Sequence, residues 1–332
     1  MSDTQRTILT FCLIALLTLC IPFYLQFLGI APENNAADDS ELVTETEIVA
    51  NDVDLEQLHI NDVLPAHANV AFDNNVGAIN FLIQTQKYRA EVSTIAGGSL
   101  ISFALVDSGK KSYQYVGGYN ADDEYDENIN VNLLKDADFL CSPCLNLETN
   151  SSSDLNVPFV VESPKISSNQ HFNIANDDSL VIRMSFKQND STVVKETIFY
   201  GNSYIIHHNF KTQNIGKINV GWNAGIRPTE KNLSEELTFS TAYVAQNKDI
   251  SDLTFAPQSL SDVVESINLS GTTDWVAMRN KYFITSLISS EASGGFVGGA
   301  PVAFSNDGFV PQYSMGLQFN NNVFSVKQFF GP

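Results

Sequence analysis

From Ala31 to Gln86 the chain has neither lysine nor arginine, and in total it carries 18 basic against 38 acidic side chains, a formal charge of −20. Nucleic acid and anionic lipid headgroups both need a basic surface to neutralise phosphate, so neither fits as a partner. The acidity is read as a solubility device. Cysteine is scarce, at four residues, and histidine is limited to His59, His67, His171, His207 and His208. There is no glycine-rich dinucleotide fingerprint, no P-loop, no H-E-x-x-H and no G-x-S-x-G. No cofactor, metal or catalytic residue is assigned on these patterns. Long amphipathic helices and fixed-period repeats are also missing, which sets aside helical bundles and solenoids.

One long apolar run stands against these absences. Ile8 to Ile30 is 23 residues without a formal charge. About 20 apolar residues in a helix cross a hydrocarbon core, and a helix satisfies its own backbone there despite a lone Pro22. A cleavable signal has a shorter apolar segment, and Pro32 would follow any cut at Gly29-Ile30-Ala31. A lipoprotein cysteine would need a small residue before it, whereas Phe11 and Leu19 precede Cys12 and Cys20. The expectation is an uncleaved transmembrane helix over residues 7–31, contacting the bilayer, with 1–6 cytoplasmic. Arg6 lies before the run and no basic residue follows until Lys87, which places the bulk of the chain outside.

Residues 32–78 read as an acidic extracytoplasmic linker. Nine acids fall between Ala31 and Glu56, and low hydrophobicity with high charge does not offset ordering entropy. A folded domain is expected over 79–332. Tyr88, Ala90 and Val92 alternate with Arg89, Glu91 and Ser93, Gly97-Gly98 breaks the run, and Leu100 to Leu105 resumes it, which is a hairpin pattern. Residues 107–156 read as irregular. They hold the acidic cluster Asp122, Asp123, Glu124, Asp126 and Glu127, which lacks the EF-hand spacing and is read as a solvated loop. They also hold Cys141-Ser142-Pro143-Cys144. Redox or zinc chemistry would need a following helix or further ligands, so this motif is read as a local disulfide or a plain loop.

Leu180–Lys187, Val193–Tyr200 and Tyr204–Phe210 alternate as an antiparallel meander with one buried face. Neighbours on a strand point to opposite faces, so His207 and His208 should diverge, with His208 in the core. Thr238–Tyr243, Trp275–Ile288, Gly294–Phe304, Tyr313–Phe319 and Val323–Phe330 are strand-like, and Pro257–Ser266 suggests a short helix. Many short strands with polar turns predict an all-β chain built as a large sandwich of antiparallel strands.

Three stretches then resemble the bacterial YidC-type membrane protein insertases, in their first membrane helix and large periplasmic domain. Lys87–Leu105 (KYRAEVSTIAGGSLISFAL) resembles that domain's opening hairpin with paired glycines. Thr272–Ile288 (TTDWVAMRNKYFITSLI) resembles its Trp-led strand, and Val326–Pro332 (VKQFFGP) its last strand. The resemblance implies a β-supersandwich of galactose mutarotase-like type. It implies an inner-membrane protein, not an enzyme, that assists insertion and folding of nascent membrane proteins, alone or with the Sec translocon. It further implies that this chain supplies the anchor and periplasmic scaffold and lacks the family's C-terminal helical bundle. The aromatics Trp275, Tyr282 and Phe283 are read as core or cleft wall. A membrane-anchored carbohydrate-binding or carbohydrate-active protein is the alternative, and an anchored β-domain acting as adhesin or assembly factor is a third reading.

Overall fold

The computed structural model describes residues 77–332 except 108–111, 114, 121–122, 135–141, 149–152, 167–169, 224, 256–263 and 305–307. The apolar run Ile8–Ile30, the linker through residue 76 and Cys141 lie outside the described residues. Among the described residues no helix is long and apolar enough to cross a membrane.

Period-two alternation becomes strand wherever one face can be buried. β1 (Asn80–Gln84), β2 (Tyr88–Ser93) and β3 (Ser99–Asp107) form the expected antiparallel opening. With β4 (Ser112–Tyr113) and β10 (Gln170–Asn173) they make a five-stranded sheet, in which β10 pairs parallel to β1.

The largest sheet has nine strands. In it β13 (Ile205–Gln213) is flanked on one side by β12 (Ser191–Tyr200), β11 (Ser179–Gln188) and β9 (Val160–Ser163). On the other side follow β22 (Val323–Gly331), β19 (Ile284–Ile288), β18 (Trp275–Arg279), β15 (Thr241–Gln246) and β16 (Asp249–Leu253). A six-stranded sheet runs β17 (Glu265–Ser270), β20 (Gly294–Phe304), β21 (Gly308–Phe319), β14 (Lys217–Trp222), β7 (Cys144–Glu148) and β8 (Ser153–Asp154). β5 (Val116–Tyr119) and β6 (Tyr125–Asn130) form a separate ribbon.

An aromatic column ties the three larger sheets together. Tyr88 and Phe103 of the first sheet stack at 4.8 Å, Phe103 stacks on Phe330 of the nine-stranded sheet at 4.2 Å, and Trp222 of the six-stranded sheet meets Phe330 at 5.1 Å. All four side chains are sealed from solvent. Burial of rings this large dominates core energetics, and stacked geometry adds about 1 kcal/mol per pair.

The structure differs from the sequence reading in four places. The stretch 107–156 holds strands β4 to β8 rather than irregular chain. β6 bears Asp126 and Glu127 on an exposed ribbon, so no apolar alternation marks it. Residues 275–288 are two strands, because Asn280 turns the chain. Thr238 and Phe239 belong to a short helix, α1 (Leu233–Phe239), before β15 begins. Asn232 caps it by accepting from the Glu235 N–H, and acids fill its first turn, a favourable arrangement at a helix N-terminus. Finally, Glu265 and Ser266, expected to be helical, lie in β17, while 256–263 are outside the described residues.

Candidate interaction surfaces and the frame behind them

The buried frame begins at the paired glycines. Gly97 and Gly98 have φ of +71° and +108°, in the region that favours glycine. A Cβ on Gly97 would stand 3.0 Å from both Lys195 Cδ and the Phe159 ring. Lys195 sits at an inward position of β12 between Val193 and Thr197 and is wholly buried. Its Nζ donates to the Gly98 carbonyl at 3.1 Å and the Ala96 carbonyl at 3.4 Å, and lies 5.8 Å from the Phe210 ring centroid. Burial disfavours the ammonium and pushes its pKa down to about 7.

The neighbouring inward position continues the frame. His208 lies opposite Thr197 on the paired strand. Its Nδ1 is 3.2 Å from Thr197 Oγ1 and its Nε2 is 3.0 Å from Gln328 Oε1. Burial first, then the Lys195 charge, holds the imidazole well below its usual pKa, so the ring is neutral. A neutral ring that donates from Nε2 to Gln328 Oε1 and accepts at Nδ1 satisfies both contacts. Gln328 Nε2 donates to Ser142 Oγ at 2.7 Å, and the Ser142 carbonyl accepts from the Leu100 N–H at 2.7 Å. The C-S-P-C turn is thus joined to the glycine turn through β22. Cys144 is buried and disulfide-bonded, and its partner lies outside the described residues. Lys195, Thr197, His208, Gln328 and Ser142 are 0–2% exposed, so their chemistry is directed at one another. His207 points to the opposite face and packs edge-on against Tyr200 at 5.2 Å, as the alternation requires.

The three sequence-selected aromatics occupy three environments. Asn280 Oδ1 accepts from the Tyr282 and Phe283 N–H groups at 3.0 and 2.8 Å, which sets the turn between β18 and β19. Phe283 is in the core, edge-on to Tyr115 at 5.1 Å. Tyr282 is 48% exposed at the hairpin tip. Trp275 is half-buried at the far end of the hairpin, on the outer face of the nine-stranded sheet, opposite Ile288.

A charged brace supports the tip. Lys281 Nζ reaches Glu235 Oε1 at 2.6 Å and Glu230 Oε1 at 3.3 Å, and lies 5.1 Å from the Tyr282 ring centroid. The Glu235 hydrogen bond is the chief cause that holds the ammonium above its usual pKa. Beneath it Glu236 is 1% exposed, and its Oε2 accepts from the Glu230 N–H at 3.2 Å. Burial pushes this carboxyl up to about 7. Tyr119 donates to the Glu230 carbonyl at 3.1 Å, and the Arg227 guanidinium donates to the Asn120 carbonyl. The chain from Arg227 to Asn232 is thereby strapped between α1, the β5–β6 ribbon and the hairpin tip.

Two open grooves mark the surface. One of about 390 Å³ is lined by Asn80, Arg89, Glu91, Gln170 and His171. The other, about 440 Å³, is lined by Asn176, Asp178, Tyr200, Asn202 and His207. Neither contains Trp275, Tyr282 or Phe283. Among the described residues no group of three or more His, Cys, Asp or Glu is placed to hold a metal ion. Lys195, Glu236 and Gln328 were not singled out from sequence. For Lys195 the signal was there, because period-two counting along β12 puts it on the same face as Val193 and Phe199.

These features define a mostly β domain whose buried polar groups serve its own packing and whose surface is what faces other molecules. Residues 81–298 match the family model of the YidC periplasmic domain, and the chain belongs to that family. A membrane protein insertase YidC from Chloroherpeton thalassium is 24% identical over 298 residues, covering 85% of this chain and 47% of that protein. One from Chlorobium luteolum is 31% identical over 124 residues, covering 36% of this chain and 20% of that protein. The chain thus spans about half the length of the curated relatives it matches, or less. Among solved structures, a galactose mutarotase related enzyme from Lactobacillus acidophilus is 12% identical with a TM-score of 0.40, covering 76% of this chain and 98% of that one. A galactose mutarotase-like protein from Clostridium acetobutylicum is 11% identical with a TM-score of 0.36, covering 76% and 94%.

Proposed function

We propose that this chain is the anchored extracytoplasmic scaffold of a membrane protein insertase. The observation that carries the reading is the family match over residues 81–298. In this reading Ile8–Ile30 retains the protein in the inner membrane with its N-terminus inside, and residues 32–78 space the folded part from the bilayer. The domain takes the supersandwich form and performs no catalysis. It meets nascent membrane proteins and Sec translocon components through its outer surfaces, and Cys144 bonds to Cys141 across the C-S-P-C turn. The frame around Lys195 and His208 supports a scaffold role, since its groups are sealed from solvent and bonded to one another and to the backbone.

Complementation tests this. The complete product of the gene, expressed in cells depleted of their own insertase, is expected to restore insertion of a small single-span membrane protein, read by protease protection. Uninserted substrate despite normal expression would sink the reading. Residues 32–332 expressed without the anchor run are expected to be soluble on fractionation, and residues 1–332 to stay with the membrane.

A further inference from the structure

The outer face of the nine-stranded sheet does not follow the alternation of a solvent face. Strand register brings its outward residues into rows. One row crosses the first four strands as Ile250, Ala245, Trp275 and Ile288. It continues through Lys327 and His207 to Ile198 and Val181. The adjacent row carries Tyr243, Ala277, Ser286, Phe329 and Ile205. Beyond the first row on its other side the face turns polar, with Ser325, Asn209, Glu196 and Arg183 in register. There Asn209 bonds Glu196 and Arg183 pairs with Glu162.

The large apolar side chains of the two rows are accessible, while the small ones between them, Ala245, Ala277 and Ser286, are buried beneath their neighbours. Ile250 is 58% and Val181 41% exposed at the ends, and Trp275, Ile288, Ile198, Tyr243 and Phe329 are half-buried between them. Eight strands at ~4.8 Å spacing give the first row a length of about 34 Å. Apolar surface gathered in one band, unlike apolar residues scattered singly, marks an interaction site. Charge indicates what covers it. The chain as a whole carries −20, yet the ionisable side chains within the first row are Lys327, which is exposed, and His207. The second row continues past Tyr243 to Asp252, exposed on the edge strand, so at the centre of the band the exposed charge is that of Lys327, which is complementary to an apolar segment with an anion at its centre.

We propose that these two rows form a docking surface for an extended segment of a partner protein, apolar along its length with one acidic side chain that pairs with Lys327. The surface stands on register and exposure, independently of whether the chain works in membrane protein insertion. Trp275 is both part of the site and its reporter, since the other tryptophan, Trp222, is sealed in the core.

The test uses the whole chain in phosphatidylcholine nanodiscs and three synthetic peptides of about ten residues, which at ~3.3 Å per residue match the band. Each alternates valine or leucine with serine and differs only at the centre, which is glutamate, glutamine or lysine. The glutamate peptide is expected to shift Trp275 emission to the blue and to bind at least about 10-fold more tightly than the lysine peptide. Lys327→Glu should reverse that order, and Lys327→Gln should erase it. Lys327 is exposed, so both variants should keep the wild-type urea midpoint. Should Lys327→Glu misfold, the glutamine variant alone decides between a lost and an unchanged preference. The proposal is overturned by a peptide preference that survives both substitutions or by no emission shift with any peptide. It is also overturned by a shift that grows with added phosphatidylcholine vesicles, which would assign the band to lipid. A shift that grows with protein concentration alone would assign it to a second copy and would overturn it too.

Discussion

The two faces of the nine-stranded sheet each depart from the usual arrangement, the inner one by holding polar groups within an apolar core and the outer one by an apolar band. On the inner face, β12, β13 and β22 place Lys195, Thr197, His208 and Gln328 among aromatic rings. On the outer face the same strands contribute Ile198, His207 and Phe329 to a band open to solvent. Inside, every polar contact is local and directional: Lys195 reads two carbonyls of one turn, and His208 reads Gln328. Such contacts add little net stability, because burial costs roughly what the bonds return. What they supply is discrimination, since a slipped register would leave a lysine and a histidine unpaired. Outside, the large apolar side chains of the rows contribute less to folding than core residues do, because part of their area stays wet, and they retain that area for a partner. The same sheet therefore fixes its register with a few polar groups set in the apolar core on one side and offers apolar groups on the other.

Removal of the inner lysine is the most severe way to test that contrast. Lys195→Ala deletes a packed four-carbon stem against Gly97 and Phe159 and orphans two carbonyls. It is expected to cost about 3–5 kcal/mol, read as a fall in the urea midpoint. A cost under ~1 kcal/mol would mean that the frame is incidental, and the contrast between the faces would fail. Lys195→Met keeps the stem and isolates the charge. The folded amine titrates near 7 while the unfolded one titrates at its usual 10.5, so the unfolded state binds more protons between those values. Wild-type stability should accordingly rise with pH from about 7 to 10.5, and the methionine variant should lack that rise.

Much of this was legible in the sequence, and the illegible part has a definite physical origin. Alternation along a strand is a local property, so the hairpin at Gly97-Gly98, the meander from Leu180 to Phe210 and the divergence of His207 from His208 could all be read directly. Row membership is not local. Trp275 meets Ala245 and Ile288, and Ile288 meets Lys327, only because β18, β19 and β22 pair with those registers. Nothing within the chain near Trp275 encodes Lys327. Trp275 is near Tyr282 and Phe283 in sequence yet apart from them in space, since the Asn280 turn sends them to a different end of the hairpin and to different depths. The β6 ribbon escaped because exposed strands carry no buried face to announce them.

A buried acid gives the opposite sign and sharpens the reading of Lys195. Glu236 titrates near 7 in the folded chain against 4.5 usually, so the folded state binds the extra proton in that window. Stability should therefore fall as pH rises from about 4.5 to 7, by on the order of 2–3 kcal/mol, through this one group. Thr229, Asn280, Glu230 and Tyr119 lie against this carboxyl and stay in place in Glu236→Gln, which should flatten the slope by that amount in thermal or urea unfolding across the window. An unchanged slope would mean that the strap opens to water around the carboxylate.

The smallest expected effect falls on the outer face, and its smallness is what carries weight. Trp275→Ser removes a half-buried ring from a strand whose inward residues, Val276 and Met278, remain fully buried. Only partial area returns to water, so the cost should be about 1 kcal/mol or less, well below that of Lys195→Ala. A loss comparable to the lysine variant would show that the band is part of the core and that the outer face is closed by the chain itself. A small loss means the ring contributes little to the folded chain alone, as expected of a residue whose main contact is with another molecule.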